Sequence, residues 1–444
     1  MARLFGTDGV RGIANKELTI ELASNIGKAC AYVLSKNKKD VKVIIGNDGR
    51  ISKDMLVSSL ISGLTSVGVD VIDLGTIPTP AISFLVTKYE ADAGIMVSAS
   101  HNPYEYNGIK IFDSQGFKLP DEIEDEIEYC ITNNQQYNND KIGKILNNKD
   151  AIKDYVDFLI TRDNFDLSNL KIAIDTANGA SSYTADILFS KTKCDYKIIN
   201  NKPNGININD KCGALYLEQL SKFVKENKLD GGVAFDGDAD RAIFVDEFGN
   251  IIDGDFVLSI ISKELKDNNK LVNNTVVGTI MSNLGLKKYC EKYNINFIET
   301  KVGDRYILEE ILKNNYIIGG EQSGHIILKE YSNTGDGQLT ALVLFDILRK
   351  SKKKLSELSN IMKKYPQTLI NVEVSNDKKN DFINNKTIQE EIKKCELDLN
   401  NNGRILVRAS GTEPKIRVMV EGENTIVTEK IANKLASIIS KELK

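Results

Sequence analysis

Three aspartates stand at alternate positions of one short segment, Asp236-Gly237-Asp238-Ala239-Asp240-Arg241. The segment follows an apolar run that predicts a strand ending at Phe235, which puts the aspartates in a loop at the carboxyl end of that strand. Carboxylates with this spacing can converge on one hard cation such as Mg²⁺, and Arg241 adds a planar donor for a phosphate beside it. Two alternatives stay open. One is a solvated acidic turn; the other is an EF-hand loop, whose sixth position requires glycine but here is Arg241.

A second polar segment, Ser98-Ala99-Ser100-His101-Asn102-Pro103, directly follows a predicted strand that ends at Val97. Loops at the carboxyl ends of α/β strands face the ligand crevice, so Ser100 is placed to act as a nucleophile or as a phosphate carrier. The alternative is an ordinary loop between a strand and a helix, with a helix cap.

A third segment, Gly319-Gly320-Glu321-Gln322-Ser323-Gly324-His325, lies between two short predicted strands. Its glycines allow a tight turn and a close approach of a ligand. Glu321 and Ser323 could bind vicinal hydroxyls of a sugar, and His325 could carry a proton. The alternative is a β-turn with a half-buried histidine.

A fourth segment, Arg408-Ala409-Ser410-Gly411-Thr412-Glu413-Pro414, is followed by Arg417. Main-chain N–H groups, two hydroxyls and two flanking arginines form a nest for the phosphate of a monoester. The alternative is a plain hairpin connection with surface charges. A fifth segment, Phe5–Gly12, is rich in glycine, but it follows no strand and lacks the lysine of a P-loop. Arg11 could reach a phosphate from it, and a structural turn is the alternative.

The elements that carry these segments alternate between strand and helix through most of the chain. This alternation predicts three similar α/β domains with mixed sheets, followed by a smaller α+β domain, all around a central cleft. Near the site, strands are predicted at 93–97, 231–235, 242–245 and 316–318. An Asn- and Lys-rich stretch before residue 150 looks like a linker. The predicted domains are 1–150, 151–253, 254–367 and 368–444, carrying in turn the serine, aspartate, sugar and phosphate segments.

Composition excludes several classes of protein. The net charge of −4 over 444 residues argues against a binder of nucleic acid that relies on a basic surface. No apolar stretch approaches the roughly 18 residues of a membrane span, and the first residues lack a signal peptide, so we expect a cytoplasmic protein with no membrane partner. The six cysteines are far apart in sequence, which favours free thiols over a zinc site or a redox pair.

The five segments, in their order and approximate spacing, resemble the motifs of the α-D-phosphohexomutases over essentially the full length of the chain. Gln322, residues 281–286 and residues 300–306 resemble the branch that acts on glucosamine phosphates more than the phosphomannomutase/phosphoglucomutase branch. The chain departs from the family at Ser98, where Thr or Ile is common, and from that branch at Asn204, where Asp is common. Neither position is a predicted catalytic group.

The resemblance implies an intramolecular phosphotransferase that interconverts glucosamine 6-phosphate and glucosamine 1-phosphate, feeding UDP-N-acetylglucosamine and cell-wall synthesis. Ser100 would carry a covalent phosphate, transfer it to O1 of the sugar and regain a phosphate from O6 of the resulting 1,6-bisphosphate. One Mg²⁺ per chain would be held by Ser100, Asp236, Asp238 and Asp240. The last domain would resemble the TATA-box-binding protein in fold.

The resemblance also implies roles for the remaining residues. The other catalytic residues would be Arg241, Arg11, Lys110 and His325, with the last two as candidates for proton handling. The substrate would be bound by Glu321, Ser323, Arg408, Ser410, Gly411, Thr412 and Arg417. The partner would be a small phosphosugar, and the protein a monomer or homodimer. Alternatives are a phosphomannomutase/phosphoglucomutase, a non-catalytic binder of Ca²⁺ or sugar phosphate, and a phosphatase, which closure of the cleft disfavours.

Overall fold

The computed structural model of the chain describes residues 4–6, 8–36, 38–135, 137, 141–147, 150–163, 165–399, 402–410 and 414–443. Four β-sheets with their helices make up this part of the chain. Three sheets are mixed and flanked by helices, and the last is antiparallel, which confirms the predicted fold class. Single turns of 3₁₀ helix occur at Ala180–Tyr183, Gly213–Leu215, Val272–Asn274 and Asp381–Ile383.

The first sheet has six strands in the order β1-β5-β4-β2-β3-β6. Strands β4, β2, β3 and β6 run parallel, and β5 pairs antiparallel with β4 and with β1. The strands are β1 (Val10–Ile13), β2 (Lys42–Asn47), β3 (Asp70–Thr76), β4 (Ala93–Val97), β5 (Tyr106–Asp113) and β6 (Ile145–Asn147). The helices are α1 (Ile20–Ser35), α2 (Lys53–Ser66), α3 (Thr79–Lys88) and α4 (Asp121–Thr132).

Strand β6 corrects the interpretation of the stretch before residue 150 as a linker. Its main chain pairs in parallel with β3, while Ile145 and Leu146 are exposed. A strand at the edge of a sheet is held by main-chain hydrogen bonds, so its side chains need not show the apolar pattern by which strands are recognised.

The second sheet has five strands in the order β11-β10-β9-β7-β8. Strands β9, β7 and β8 are parallel, and β10 runs antiparallel to β9 and β11. The strands are β7 (Lys171–Asp175), β8 (Asp195–Ile199), β9 (Gly231–Phe235), β10 (Ala242–Asp246) and β11 (Ile251–Ile252). The helices are α5 (Ala151–Thr161), α6 (Ala185–Ser190) and α7 (Glu218–Asn227).

The third sheet has four strands in the order β13-β12-β14-β15. The strands are β12 (Thr275–Thr279), β13 (Asn296–Thr300), β14 (Ile318–Gly320) and β15 (Ile326–Leu328), and the helices are α8 (Gly254–Asp267), α10 (Asp304–Asn314), α11 (Gly337–Ser351) and α12 (Leu355–Ser359). The strand predicted at 316–318 starts at Ile318 instead. The N–H group of Tyr316 donates to the carbonyl oxygen of Ile311, so Tyr316 closes α10.

The described chain divides into two compact units. The first contains the three mixed sheets, and the second combines residues 282–295 with residues 361–444. The second unit has the antiparallel strands β16 (Gln367–Glu373), β17 (Gly403–Ala409) and β18 (Lys415–Gly422) in the order β16-β18-β17, with helices α9 (Leu284–Lys292), α13 (Lys386–Asp398) and α14 (Thr425–Glu442). No helix among the described residues has both the length and the apolar composition to cross a bilayer.

Within the second unit, helix α9 is attached through its first turn. Asn283, the N-cap of α9, donates to the carbonyl oxygen of Tyr365 at 2.9 Å and to Oε1 of Glu421 at 3.0 Å. Glu421 lies on β18, is fully buried and pairs with Arg404 on β17. The polar cap of α9 is therefore part of the interior of this unit.

Candidate active site

Ser100 lies in the loop after β4 in a left-handed backbone conformation, with φ of 53°. Its side chain is buried, and its Oγ donates a hydrogen bond of 2.6 Å to Oδ2 of Asp236. Its N–H group donates to Oγ of Ser98 at 2.8 Å. A positive φ is strained for a residue with a side chain and persists only where its surroundings impose it. The structure thus places the predicted serine against the predicted aspartate segment.

The three aspartates follow β9, and all are buried. One carboxylate oxygen from each lies within 4.8 Å of the others. Oδ1 of Asp238 and Oδ1 of Asp240 accept no hydrogen bond from any described residue. Buried carboxylate oxygens without donors are what a hard cation with oxygen ligands requires, so the residues fit a divalent metal ion.

The alternatives for this segment do not fit the structure. Burial excludes a solvated acidic turn. The segment is flanked by the antiparallel strands β9 and β10, whereas an EF-hand loop needs a helix on each side. Burial, together with the neighbouring charges of Asp240 and Asp238, raises the pKa of Asp236 well above its usual value. Such mutual repulsion is what a bound cation would relieve.

Lys110 on β5 is buried beside the same carboxylates. Its Nζ lies 2.8 Å from Oδ2 of Asp238, 3.6 Å from Oδ2 of Asp240 and 3.2 Å from Oδ2 of Asp8. Burial opposes the charge on Lys110, but Asp238, Asp8 and Asp240 outweigh it and raise its pKa. Asp238 also accepts a hydrogen bond of 2.6 Å from Oγ1 of Thr79. Lys110 therefore stays protonated and balances part of the negative charge.

Lys118 and Asp304 extend this cluster, and sequence reasoning missed both as site residues. Nζ of Lys118 contacts Asp8 and lies 2.6 Å from Oδ2 of Asp304. Burial opposes ionisation of Asp304, but Lys118 and then His325 lower its pKa. Lys118 thereby connects the glycine-rich N-terminal segment to the start of α10. Asp304 falls in residues 300–306, which were noted only for their resemblance, and Lys118 has no local signal.

His325 is buried between two carboxylates. Its Nδ1 lies 3.6 Å from Oδ2 of Asp240, and its Nε2 lies 3.5 Å from Oδ2 of Asp304. The N–H group of Gly335 donates to Nε2 at 3.1 Å. Burial opposes a charge on the ring, but Asp240 and then Asp304 outweigh it and raise the pKa of His325 to about 8.

An imidazole group lies beside the serine. Nδ1 of His101 is 3.3 Å from Oγ of Ser100. Burial, then the charges of Arg241 and Arg11, lowers the pKa of His101 to about 4. Arg11 also pairs with Asp8. A neutral imidazole thus borders the serine, and two guanidinium groups lie close enough to that imidazole to lower its pKa. Guanidinium groups suit a transferring phosphoryl group.

Glu321 and Ser323 lie together in the loop between β14 and β15. Oγ of Ser323 donates to Oε2 of Glu321 at 3.3 Å, and the N–H group of Gly303 donates to Oε1 at 3.2 Å. Both side chains are partly exposed. The carboxylate therefore retains acceptor capacity for the hydroxyls of a sugar.

In the second unit, Arg408 on β17 stands directly opposite Arg417 on β18. Burial and then the charge of Arg417 lower the pKa of Arg408. Lys379 adds a cation that sequence reasoning missed, because its Nζ donates to the carbonyl oxygen of Ser410 at 3.0 Å. Adjacent guanidinium groups favour an anion such as phosphate. Gly411 and Thr412, also predicted here, lie outside the described residues.

The chain is similar to known proteins over its whole length. Four family profiles match in order: phosphoglucomutase/phosphomannomutase α/β/α domain I at residues 2–138, domain II at 153–249, domain III at 253–365 and the C-terminal domain at 369–438. The chain is 52% identical over 448 residues to phosphoglucosamine mutase of Clostridium tetani and 50% identical over 448 residues to that of Acetivibrio thermocellus. Each alignment covers 100% of both chains.

Solved structures resemble the chain in fold. A phosphoglucomutase/phosphomannomutase family protein of Burkholderia thailandensis superposes with a TM-score of 0.82 at 23% identity, covering 99% of this chain and 97% of the other. N-acetylphosphoglucosamine mutase of Aspergillus fumigatus, solved with GlcNAc-6P and magnesium, has a TM-score of 0.69 at 17% identity, covering 99% and 96%.

Proposed function

The chain belongs to the phosphoglucomutase/phosphomannomutase family, and from this premise we propose that it interconverts glucosamine 6-phosphate and glucosamine 1-phosphate. The observation that carries the proposal is the hydrogen bond from Oγ of Ser100 to Asp236 within a buried group of three carboxylates. A hydroxyl, a cation site and two arginines in one place suit transfer of a phosphoryl group. The relatives that are about half identical over their full length support the glucosamine branch.

We propose that Ser100 carries the phosphate. In the first step, O1 of glucosamine 6-phosphate attacks the phosphorus, the bond to Oγ of Ser100 breaks, and the proton of O1 leaves to a base of the site. In the second step, Oγ attacks the phosphorus on O6, the bond to O6 breaks, and O6 takes a proton. Arg11 and Arg241 would neutralise charge on the moving group.

Asp236, Asp238 and Asp240, with an oxygen on Ser100, would hold one Mg²⁺. When bound, this ion neutralises charge on the phosphoryl oxygens. The raised pKa of Lys110 keeps it protonated. We therefore propose that Lys110 donates hydrogen bonds and balances charge, and that it does not act as the base. His325 is the candidate for proton handling that remains.

Two further groups of residues are proposed to bind the substrate. We propose that Glu321 and Ser323 accept and donate hydrogen bonds to the ring hydroxyls. Arg408, Ser410 and Arg417, with Gly411 and Thr412, would bind the phosphate that does not react.

The decisive experiment compares three substrates. Protein phosphorylated on Ser100 and loaded with Mg²⁺ is given glucosamine, glucose or mannose 6-phosphate separately, and each 1-phosphate is followed by ³¹P NMR. We expect fastest conversion of the amino sugar, and none by Ser100→Ala. Faster conversion of glucose or mannose phosphate would favour the phosphomannomutase/phosphoglucomutase alternative. No conversion of any sugar would contradict the mutase activity itself.

A further inference from the structure

The carbonyl oxygen of Ser100 accepts hydrogen bonds from two side chains that come from different parts of the chain. Nη2 of Arg50, in the loop after β2, donates to it at 2.8 Å. Nδ2 of Asn209, between β8 and α7, donates to it at 2.9 Å. A carbonyl oxygen has two lone pairs, so both are used. Arg50 follows a strand of the first sheet, and Asn209 follows a strand of the second sheet. Both side chains are buried.

Arg50 holds more than this one carbonyl group. Its Nη1 donates to the carbonyl oxygen of Pro103 and, at 3.1 Å, to that of Tyr106. Its Nε pairs with Oδ2 of Asp48 at 2.9 Å, and Asp48 accepts from Oγ of Ser98 at 2.6 Å. Arg50 is fully buried. One guanidinium group thus fixes the main chain at the start, middle and end of the serine loop.

Asn209 holds the same loop from the other side. Its Nδ2 also donates to the carbonyl oxygen of Asn102 at 3.1 Å, and its own N–H group donates to the carbonyl oxygen of Ala177 at 2.9 Å. A Cβ atom added at Gly237 would lie 2.6 Å from the oxygen of Ser100 and 2.9 Å from Nδ2 of Asn209. The glycine between the first two aspartates therefore leaves room for these contacts.

We propose that Arg50 and Asn209 are positioning residues that fix Oγ of Ser100 against Asp236 by clamping the carbonyl group of Ser100 from two sides. The proposal rests on the proposed function. The φ of 53° at Ser100 is strained for a residue with a side chain and relaxes unless its surroundings hold it. The hydrogen bonds of the two donors supply that restraint, and Asn209 ties the loop to the sheet that carries the aspartates.

The clamp has a chemical consequence for the phosphorylated enzyme. A loosened loop lets water compete with the sugar for the phosphate on Ser100. In that side reaction the oxygen of water attacks phosphorus, the bond to Oγ breaks, Oγ takes a proton, and inorganic phosphate leaves. The clamp therefore favours transfer to the sugar over hydrolysis, and its loss changes the ratio of the two reactions.

The test uses Asn209→Leu, which keeps the branched shape but removes both N–H groups of Nδ2, and Arg50→Lys, which keeps the charge but not the branched donor group. Asn207→Ala is the matched control, because Asn207 is in the same loop and bonds to Asn204 and Lys202 instead. The full-length chain is phosphorylated with glucosamine 1,6-bisphosphate. Intact-protein mass spectrometry gives the lifetime of the phosphate without sugar, and phosphate release per isomerisation is measured with sugar.

We expect Asn209→Leu to lower kcat about tenfold with little change in KM, to shorten the lifetime of the phosphate several-fold, and to raise phosphate release per isomerisation. Arg50→Lys should change the same quantities in the same direction, and Asn207→Ala should match the parent. A purely structural loss would lower the folded fraction and leave the lifetime and the ratio unchanged, which would overturn the proposal.

Failure of the proposed function gives a different result. If the parent turns over no sugar phosphate but its phosphoserine lifetime falls in Asn209→Leu and not in Asn207→Ala, the clamp stands and the assigned reaction is wrong. If the parent isomerises the sugar and all four proteins share one lifetime and one ratio, the clamp is wrong and the reaction stands.

Discussion

Asp336 gives the chain a pH-dependent stability that can be measured. It is the N-cap of α11 and accepts from the N–H group of Leu339 at 2.9 Å, and the hydroxyl of Tyr155 donates to both of its oxygens at 3.0 and 2.9 Å. Burial raises the pKa of Asp336 from 3.8 to about 6, although these donors oppose the shift. Between these two values the folded protein binds more protons at this position than the unfolded chain does.

The sign and the size of the effect follow from this difference in protons. The free energy of unfolding falls as the pH rises from about 4 to about 6, and the effect of Asp336 on it is constant above that range. The pKa of Asp336 rises by about 2, and each pKa unit corresponds to about 1.36 kcal/mol, so the free energy of unfolding changes by about 3 kcal/mol. Asp336→Asn removes the titration but keeps an oxygen that can cap α11, since asparagine is also a favoured N-cap. The free energy of unfolding of the variant should therefore rise by about 3 kcal/mol relative to that of the parent as the pH goes from 4 to 7.

The measurement is urea unfolding of the full chain in EDTA at several pH values, followed by far-ultraviolet circular dichroism because the chain has no tryptophan. Tyr155→Phe removes a donor to the carboxylate, so it should shift the pH window upward. A difference in unfolding free energy between Asp336→Asn and the parent that is the same at every pH would refute the reasoning.

Three further changes should affect stability or metal binding. Lys118→Met removes the cation that Asp8 and Asp304, both partly buried, share, and it should cost about 3 kcal/mol in urea unfolding; an unchanged midpoint would contradict the ion-pair argument. Asp238→Asn should abolish the rise in Tm that we expect Mg²⁺ to give the parent, and EDTA should reverse that rise in the parent alone. Gly337→Ala puts a Cβ 2.5 Å from the carbonyl oxygen of Arg241 and should lower the free energy of unfolding by about 1–3 kcal/mol; normal stability would show that α11 can shift freely.

The residues found from sequence share a local signal. Ser100 and Asp236 each follow a run of apolar residues that ends a buried strand, so both the strand and the polar residue after it are visible within a few positions. Such a pattern also predicts that each loop faces a ligand crevice, because the carboxyl ends of parallel strands carry ligand sites. The contact between the two loops, 136 positions apart in sequence, joins strands of different sheets, so it does not follow from that rule.

The residues that were missed depend on distant partners. Lys118 is 110 positions from Asp8 and 186 from Asp304, and Asn209 is 109 positions from Ser100. A lone lysine or asparagine is usually exposed, and nothing within a few residues of these two indicates burial. Arg50 had a usable signal, because it follows β2, the parallel neighbour of β4. Polar residues at the end of that strand fall beside the serine loop.

The way the chain builds its second unit has a consequence for synthesis. Residues 282–295 emerge from the ribosome well before residues 361–444, yet the cap of α9 needs the main chain of Tyr365 and the buried carboxylate of Glu421. In sequence, α9 lies between β12 and β13, two strands of the third sheet. We therefore expect the third sheet to form before α9 has the partners on which it packs. The first unit can fold while the chain is still being synthesised, whereas the second unit can fold only after β18 has left the ribosome.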